Sequence, residues 1–230
     1  VETPTLDSAN EVMTHKTTAM VVVTGGGAVV KAAMNSGKKC VAAGPGNPPV
    51  VVDETADIDL AGRGIVRGAS FDNNVICTDE KEVFVVDKVA DRLIEVMCDE
   101  GAVLLRNHQI TRLERLILTP DREHINRDWV GQDAGKMLRE IDIPFQGDPR
   151  LIICEVPFDH PFIQLEKLMP VVGICRVADV NQGIDLAKAA EHGYRHTASM
   201  YSRNIDALHR MAVVMNCSIF VKNAPNYAGI

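Results

Sequence analysis

Short apolar runs rich in β-branched residues alternate along the whole chain with stretches of helical period, and no other feature constrains the fold as much. Strands are expected at 19–23, 40–43, 50–53, 82–86, 151–156, 171–177, 197–201 and 218–221. Helices are expected at 7–14, 28–36, 55–68, 88–97, 111–118, 133–141, 180–192 and 205–215. Strand–helix–strand order of this kind builds a parallel sheet with helices on its faces, so the fold class is α/β. Prolines lack the amide donor and glycines cost backbone entropy, so Gly44-Pro45-Gly46-Asn47-Pro48-Pro49 is a shaped loop. No long linker or internal repeat occurs, and the Pro-rich 45–49 segment is the best place for a domain crossing.

Charge and composition exclude several classes of function. The 230 residues carry a net charge of -7, and no run of basic residues exceeds Lys38-Lys39, so there is no electrostatic footprint for nucleic acid. The longest apolar runs, such as Met20-Val21-Val22-Val23, fall far short of the roughly 20 residues a membrane helix needs. Six cysteines are scattered without C-x-x-C spacing, which points to free thiols in a reducing, cytoplasmic setting. The chain opens on Val1 without a signal sequence, and its ends read as cut.

Two local features could carry chemistry. The expected strand at 19–23 runs into Thr24-Gly25-Gly26-Gly27 and then a helix, which presents free amides where a phosphate could bind. Position 30 is Val where the dinucleotide fingerprint wants a third glycine, so a plain glycine turn fits equally well. Cys77 is the one cysteine placed in a loop, after the polar run Asp72-Asn73-Asn74. A catalytic thiol needs partial access and a pKa brought down from about 8.5 by amide dipoles or cations. By local context a buried structural thiol remains the alternative. His192 and His196 are spaced like helical metal ligands, but Gly193 interrupts them and no third ligand is evident, so no metal site is expected.

Several motifs in register are more specific than any one. Val22-Val23-Thr24-Gly25-Gly26, the 45–49 loop leading into Val50-Val51-Val52, Ala56-Asp57-Ile58-Asp59 and Phe71-Asp72-Asn73-Asn74-Val75-Ile76-Cys77 resemble the aldehyde dehydrogenases in order and spacing. Glu166-Lys167-Leu168-Met169-Pro170-Val171 and Ser218-Ile219-Phe220-Val221-Lys222-Asn223 resemble downstream elements of the same family. The wording of the Pro-rich loop and of the Cys77 segment is similar to the CoA-acylating acetaldehyde and propionaldehyde dehydrogenases of ethanolamine and propanediol utilisation.

The resemblance implies an aldehyde dehydrogenase-like catalytic domain at 53–230, preceded at 1–52 by the C-terminal portion of a Rossmann-type NAD-binding domain. It implies Cys77 as nucleophile, Thr24, Gly25 and Gly26 near the cofactor pyrophosphate, and Glu166 on the nicotinamide ribose. NAD and coenzyme A are then cofactor and cosubstrate, and a small aldehyde is the substrate. A homo-oligomer is implied at full length, in the cytoplasm or inside a bacterial microcompartment. Hydrolytic members place a Glu just before the glycine loop to activate water; here that place is Ala43, and neither neighbour, Ala42 or Gly44, is a base. Without that base the acyl group is better passed to the CoA thiol by exchange. The alternatives are a hydrolytic aldehyde dehydrogenase and a non-catalytic interaction module of a shell compartment. Because the resemblance also implies an N-terminal oxyanion donor before Val1 and an oligomerisation arm after Ile230, residues 1–230 alone are expected to be inactive.

Overall fold

The structure, a computed structural model, describes residues 3–230. Val1, where the sequence reading placed a cut, lies outside the described residues. The chain divides into two compact units, Val1–Pro45 and Gly46–Ile230.

The first unit contains helix α1 (Leu6–Thr14), strand β1 (Met20–Thr24), helix α2 (Gly27–Met34) and strand β2 (Lys39–Ala43). Thr5 and Ser8 form a capping box that starts α1, each side chain satisfying the other's backbone amide. The two strands pair in parallel with Val22 opposite Val41. Gly25 N–H donates to the Ala43 carbonyl at 3.1 Å, which closes the glycine turn onto the end of β2.

The second unit is built on a seven-stranded, wholly parallel sheet. In chain order its elements are β3 (Pro49–Val52), α3 (Ile58–Ala69), β4 (Glu82–Val86), α4 (Asp87–Asp99), β5 (Ala102–Leu105), α5 (His108–Ile117), α6 (Ala134–Glu140), β6 (Leu151–Glu155), α7 (Pro161–Gln164), β7 (Val171–Val177), α8 (Val180–Ala190), β8 (Thr197–Tyr201), α9 (Ile205–Met215) and β9 (Ile219–Lys222). The strand order is β5-β6-β7-β4-β3-β8-β9. β3, β4 and β8 are buried at every position, as parallel strands covered on both faces must be. Alternate residues feed two cores. Val51, Phe84, Val86, Val171 and Met200 join one cluster, while Val50, Val52, Val83, Val85 and Val172 join the other. The second cluster is closed by α3 and α4, which approach closely because position 62 is Gly: a Cβ there would stand 2.6 Å from Val96.

β4, β7, β8 and α9 have the bounds expected from the sequence, while β5 and α7 are additional. Each of these two spans four residues, too few to show a period. The boundary expected between 52 and 53 falls after β3, whereas β3 is hydrogen-bonded between β4 and β8 inside the second unit. The observed division lies in the Pro-rich segment itself.

Candidate active site

The residues around Cys77 are positioned by a turn that ordinary side chains avoid. Asp72, Asn73 and Asn74 have φ of 44°, 52° and 61°, the left-handed region that Asn and Asp tolerate best among residues with a Cβ. Their side chains hold the turn. Asn73 Nδ2 donates to the Gly131 carbonyl at 3.0 Å, and Asn74 Nδ2 donates to the carbonyls of Ala69 and Glu80 at 2.8 and 2.9 Å. The polar run that marked Cys77 in the sequence is therefore a rigid three-residue device rather than a solvated link. It delivers Cys77 half-buried, ahead of β4.

Three further loops come to the same place, at the amino ends of β3, β7 and β8, and Gly46 is where they touch. Its N–H donates to Glu166 Oε1 at 3.1 Å. A Cβ built on it would lie 2.8 Å from the Cys77 carbonyl oxygen and 3.0 Å from Cγ of His196, so only glycine fits without displacement. Cys77 and Glu166, which are separated by a large stretch of sequence, thus lie on either side of one backbone residue. Glu166 also lines a cavity of about 580 Å³ shared with His124, Ile125, Arg127 and Leu168. Among the described residues its second oxygen takes no hydrogen bond, which leaves it available to a ligand hydroxyl.

Beneath the loop, Thr78, Asp79, Glu80, Lys81 and Glu82 are all buried in succession. Lys81 Nζ donates to Asn74 O at 3.0 Å, to Asn74 Oδ1 at 2.5 Å and to Ile76 O at 2.8 Å. Lys167, equally buried, donates to the carbonyls of Lys81 (3.0 Å), Phe162 (2.7 Å) and Leu165 (3.3 Å), tying the Glu166 segment to the Cys77 segment. Burial pushes both ammonium groups down to about 8. It pushes the Asp79 carboxyl up to about 6 and the Glu80 carboxyl up to about 8. The Cys77 thiol is itself pushed up, first by burial and then by the Glu166 carboxylate, with Lys81 pulling the other way. The depressed thiol pKa that the sequence reading required is therefore not supplied by the second unit.

His196 joins the site, although from the sequence it figured only as an improbable metal ligand. Burial, reinforced by Lys81, holds its imidazole below the usual range, so it is neutral and able to accept a proton at neutral pH. Its Nδ1 lies 2.8 Å from Thr197 Oγ1, and His192 Nε2 lies 2.9 Å from the Gln164 carbonyl. No cue of spacing could have found His196; its role depends on β8 lying beside β3.

In the first unit, Thr24 ends β1 and Gly26 is the N-cap of α2, with no side-chain cap on the helix amides. A Cβ on Gly26 or Gly27 would meet nothing within 4 Å, so the turn is open, as a phosphate cradle must be. Among the described residues no three His, Cys, Asp or Glu side chains gather as a metal site, and no helix is long and apolar enough to cross a membrane.

The parallel sheet, the glycine turn and the cysteine loop place the chain in the aldehyde dehydrogenase family, whose family model matches residues 1–113. Within that family the resemblance runs to CoA-acylating members. The chain is 46% identical over 235 residues, its whole length, to the acetylating acetaldehyde dehydrogenase of Salmonella typhimurium, covering 50% of that protein. It is 42% identical over 231 residues to the CoA-propanoylating propanal dehydrogenase of Citrobacter freundii, again over its whole length and 50% of the relative. The crystal structure of Rhodopseudomonas palustris propionaldehyde dehydrogenase, with bound CoA and an acylated cysteine, matches with a TM-score of 0.96 and 43% identity, over 100% of this chain and 52% of that one. The chain spans about half the length of the curated relatives it matches.

Proposed function

We propose that this chain carries the acyl-holding part of a CoA-acylating aldehyde dehydrogenase. The observation that carries the reading is the meeting of Cys77 and Glu166 at Gly46. In the reaction, the Cys77 thiolate adds to the carbonyl carbon of a short-chain aldehyde. NAD+, when bound, supplies the hydride acceptor. Loss of hydride from the adduct leaves a thioester on Cys77. The thiolate of CoA then attacks that carbonyl, the Cys77–acyl bond breaks, and acyl-CoA leaves with Cys77 restored as thiolate.

Roles follow from position. Glu166, with one oxygen fixed by Gly46 and the other unengaged, orients a ribose hydroxyl of the cofactor. Thr24, Gly25 and Gly26 cradle its pyrophosphate at the start of α2. With β3 paired inside the second unit, we place the dinucleotide-binding portion at Val1–Pro45 and the catalytic domain at Gly46–Ile230. His196, neutral at physiological pH, is positioned to take up a proton beside Cys77. At the place where a hydrolytic enzyme needs its base the chain has Ala43, flanked by Ala42 and Gly44, which favours transfer to CoA over transfer to water. At full natural length we expect a cytoplasmic homo-oligomer. A setting inside a microcompartment is supported by the propionaldehyde dehydrogenase of the Clostridium phytofermentans fucose-utilisation microcompartment, 42% identical with a TM-score of 0.96 over 100% of this chain and 53% of that one.

The test is product analysis of the protein at its full natural length, with and without CoA, beside Cys77→Ala. Acyl-CoA and NADH should form in equal amounts and vanish in the variant. Carboxylate formed at full rate without CoA would make the enzyme hydrolytic, and activity surviving Cys77→Ala would remove Cys77 from the chemistry.

A further inference from the structure

We propose that Lys81 is a positioning residue for Cys77, its ammonium fixing residues 74–77 through the carbonyls of Asn74 and Ile76 and supplying the positive charge against which the thiol ionises. The inference rests on the reading of Cys77 as nucleophile.

The geometry is specific. Lys81 is 0% exposed, and all three of its acceptors belong to Asn74 and Ile76, the residues just ahead of Cys77. Among the described residues no carboxylate lies within ion-pair distance of its ammonium. Burying an ammonium against neutral acceptors is costly, and a buried amide could donate to the same carbonyls with far less loss of solvation. A charge retained where a neutral donor would serve the packing is a charge with another use.

Its surroundings define that use. The Cys77 thiol is acted on by Glu166 from the segment before β7 and by Asp79 and Lys81 from its own segment, while His196, from the segment before β8, packs against Gly46 beside the Cys77 carbonyl. Glu166 and Asp79 both hold the thiol protonated, and His196 is neutral at physiological pH. Lys81 is the one cation among these groups. Glu80 and Glu166 act on Lys81 as well as Asp79 does, while Glu82 and Lys167 sit on its other side, with Lys167 donating to the Lys81 carbonyl. The Lys81 N–H donates to Pro48 O at 3.0 Å, so its backbone is anchored to the Pro-rich loop that contains Gly46. Loop geometry and thiol charge are thereby controlled by one side chain.

The experiment measures the pH dependence of iodoacetamide alkylation at Cys77, resolved by peptide mass spectrometry, in the full-length protein. Lys81→Gln keeps donors and removes the charge, whereas Lys81→Arg keeps the charge and alters the shape; circular dichroism checks folding. Lys81→Gln should make Cys77 about tenfold slower to alkylate below pH 8, where the wild-type ammonium is charged, with the difference closing as the pH rises past that value. Lys81→Arg, charged at every pH, should keep the fast rate below pH 8 and lower the midpoint. A rate lowered by the same factor at every pH, or a midpoint moved equally by both variants, would reduce Lys81 to a packing role and overturn the proposal. Should Lys81→Gln not fold, Lys81→Arg decides: a midpoint that fails to fall with the permanent cation in place overturns the proposal. Loss of the parent reading is told apart by Cys77→Ala, since an active Cys77→Ala protein sinks the nucleophile while leaving the alkylation midpoints as measured.

Discussion

Glu80→Gln should stabilise the protein at neutral pH and do so less as the pH falls. Glu80 is fully buried, its Oε1 accepts the Asn226 N–H at 2.8 Å, and among the described residues its Oε2 has no partner. Burial raises its carboxyl from 4.5 to about 8, so the folded protein holds a proton there that the unfolded chain has released. The sign follows directly. The contribution is fully present below the unfolded value and is lost as pH rises through the folded one, because the unfolded state binds fewer protons across that window. The slope for one such proton is about 1.4 kcal/mol per pH unit, so between pH 5 and pH 7 the wild-type protein should lose about 2–3 kcal/mol that the variant keeps. Glutamine matches the protonated acid in shape and retains an oxygen for Asn226, so little else changes. Urea unfolding of both proteins at several pH values measures the difference. A stability gap that stays constant between pH 5 and pH 7 would show Glu80 ionised in the native state, against the expected buried neutral acid, and would refute the reasoning.

Two other substitutions probe the meeting point of the loops. Gly46→Ala puts a Cβ 2.8 Å from a backbone oxygen, so the loop must shift; we expect destabilisation by about 1–3 kcal/mol in denaturant titrations. Gly44→Ala, whose Cβ would meet only Val30 at 3.8 Å, should be close to neutral as a control. Asn47→Ala strands the carbonyls of Ile163 and Ala190, each now held by Nδ2 at 2.9 Å, and should cost about 2–4 kcal/mol, read as a lowered melting temperature.

Much of the fold was legible along the chain because parallel strands buried on both faces read as continuous apolar runs. That is why β4 and β7 could be bounded to the residue. The turn ahead of Cys77 was legible as well, through the Asp72-Asn73-Asn74 run, since three successive left-handed residues favour side chains of that kind. β5 and α7 were not, being too short to carry a period, and β3 was assigned to the wrong side of the domain crossing because pairing is not written in a strand's own composition.

The amino-acid sequence alone determined the fold class, the loop that bears Cys77 and the family resemblance, all of which rest on local residue types and their order. The folded sheet is what brings His196 and Lys81 to the Cys77 loop, sets Gly46 between that loop and Glu166, and gathers these residues at the amino ends of the strands. The physical reason is that strand order and burial are properties of the assembled sheet. A lysine four positions after a cysteine is unremarkable in a sequence, and becomes a local charge only once the sheet and its helices have taken it out of water.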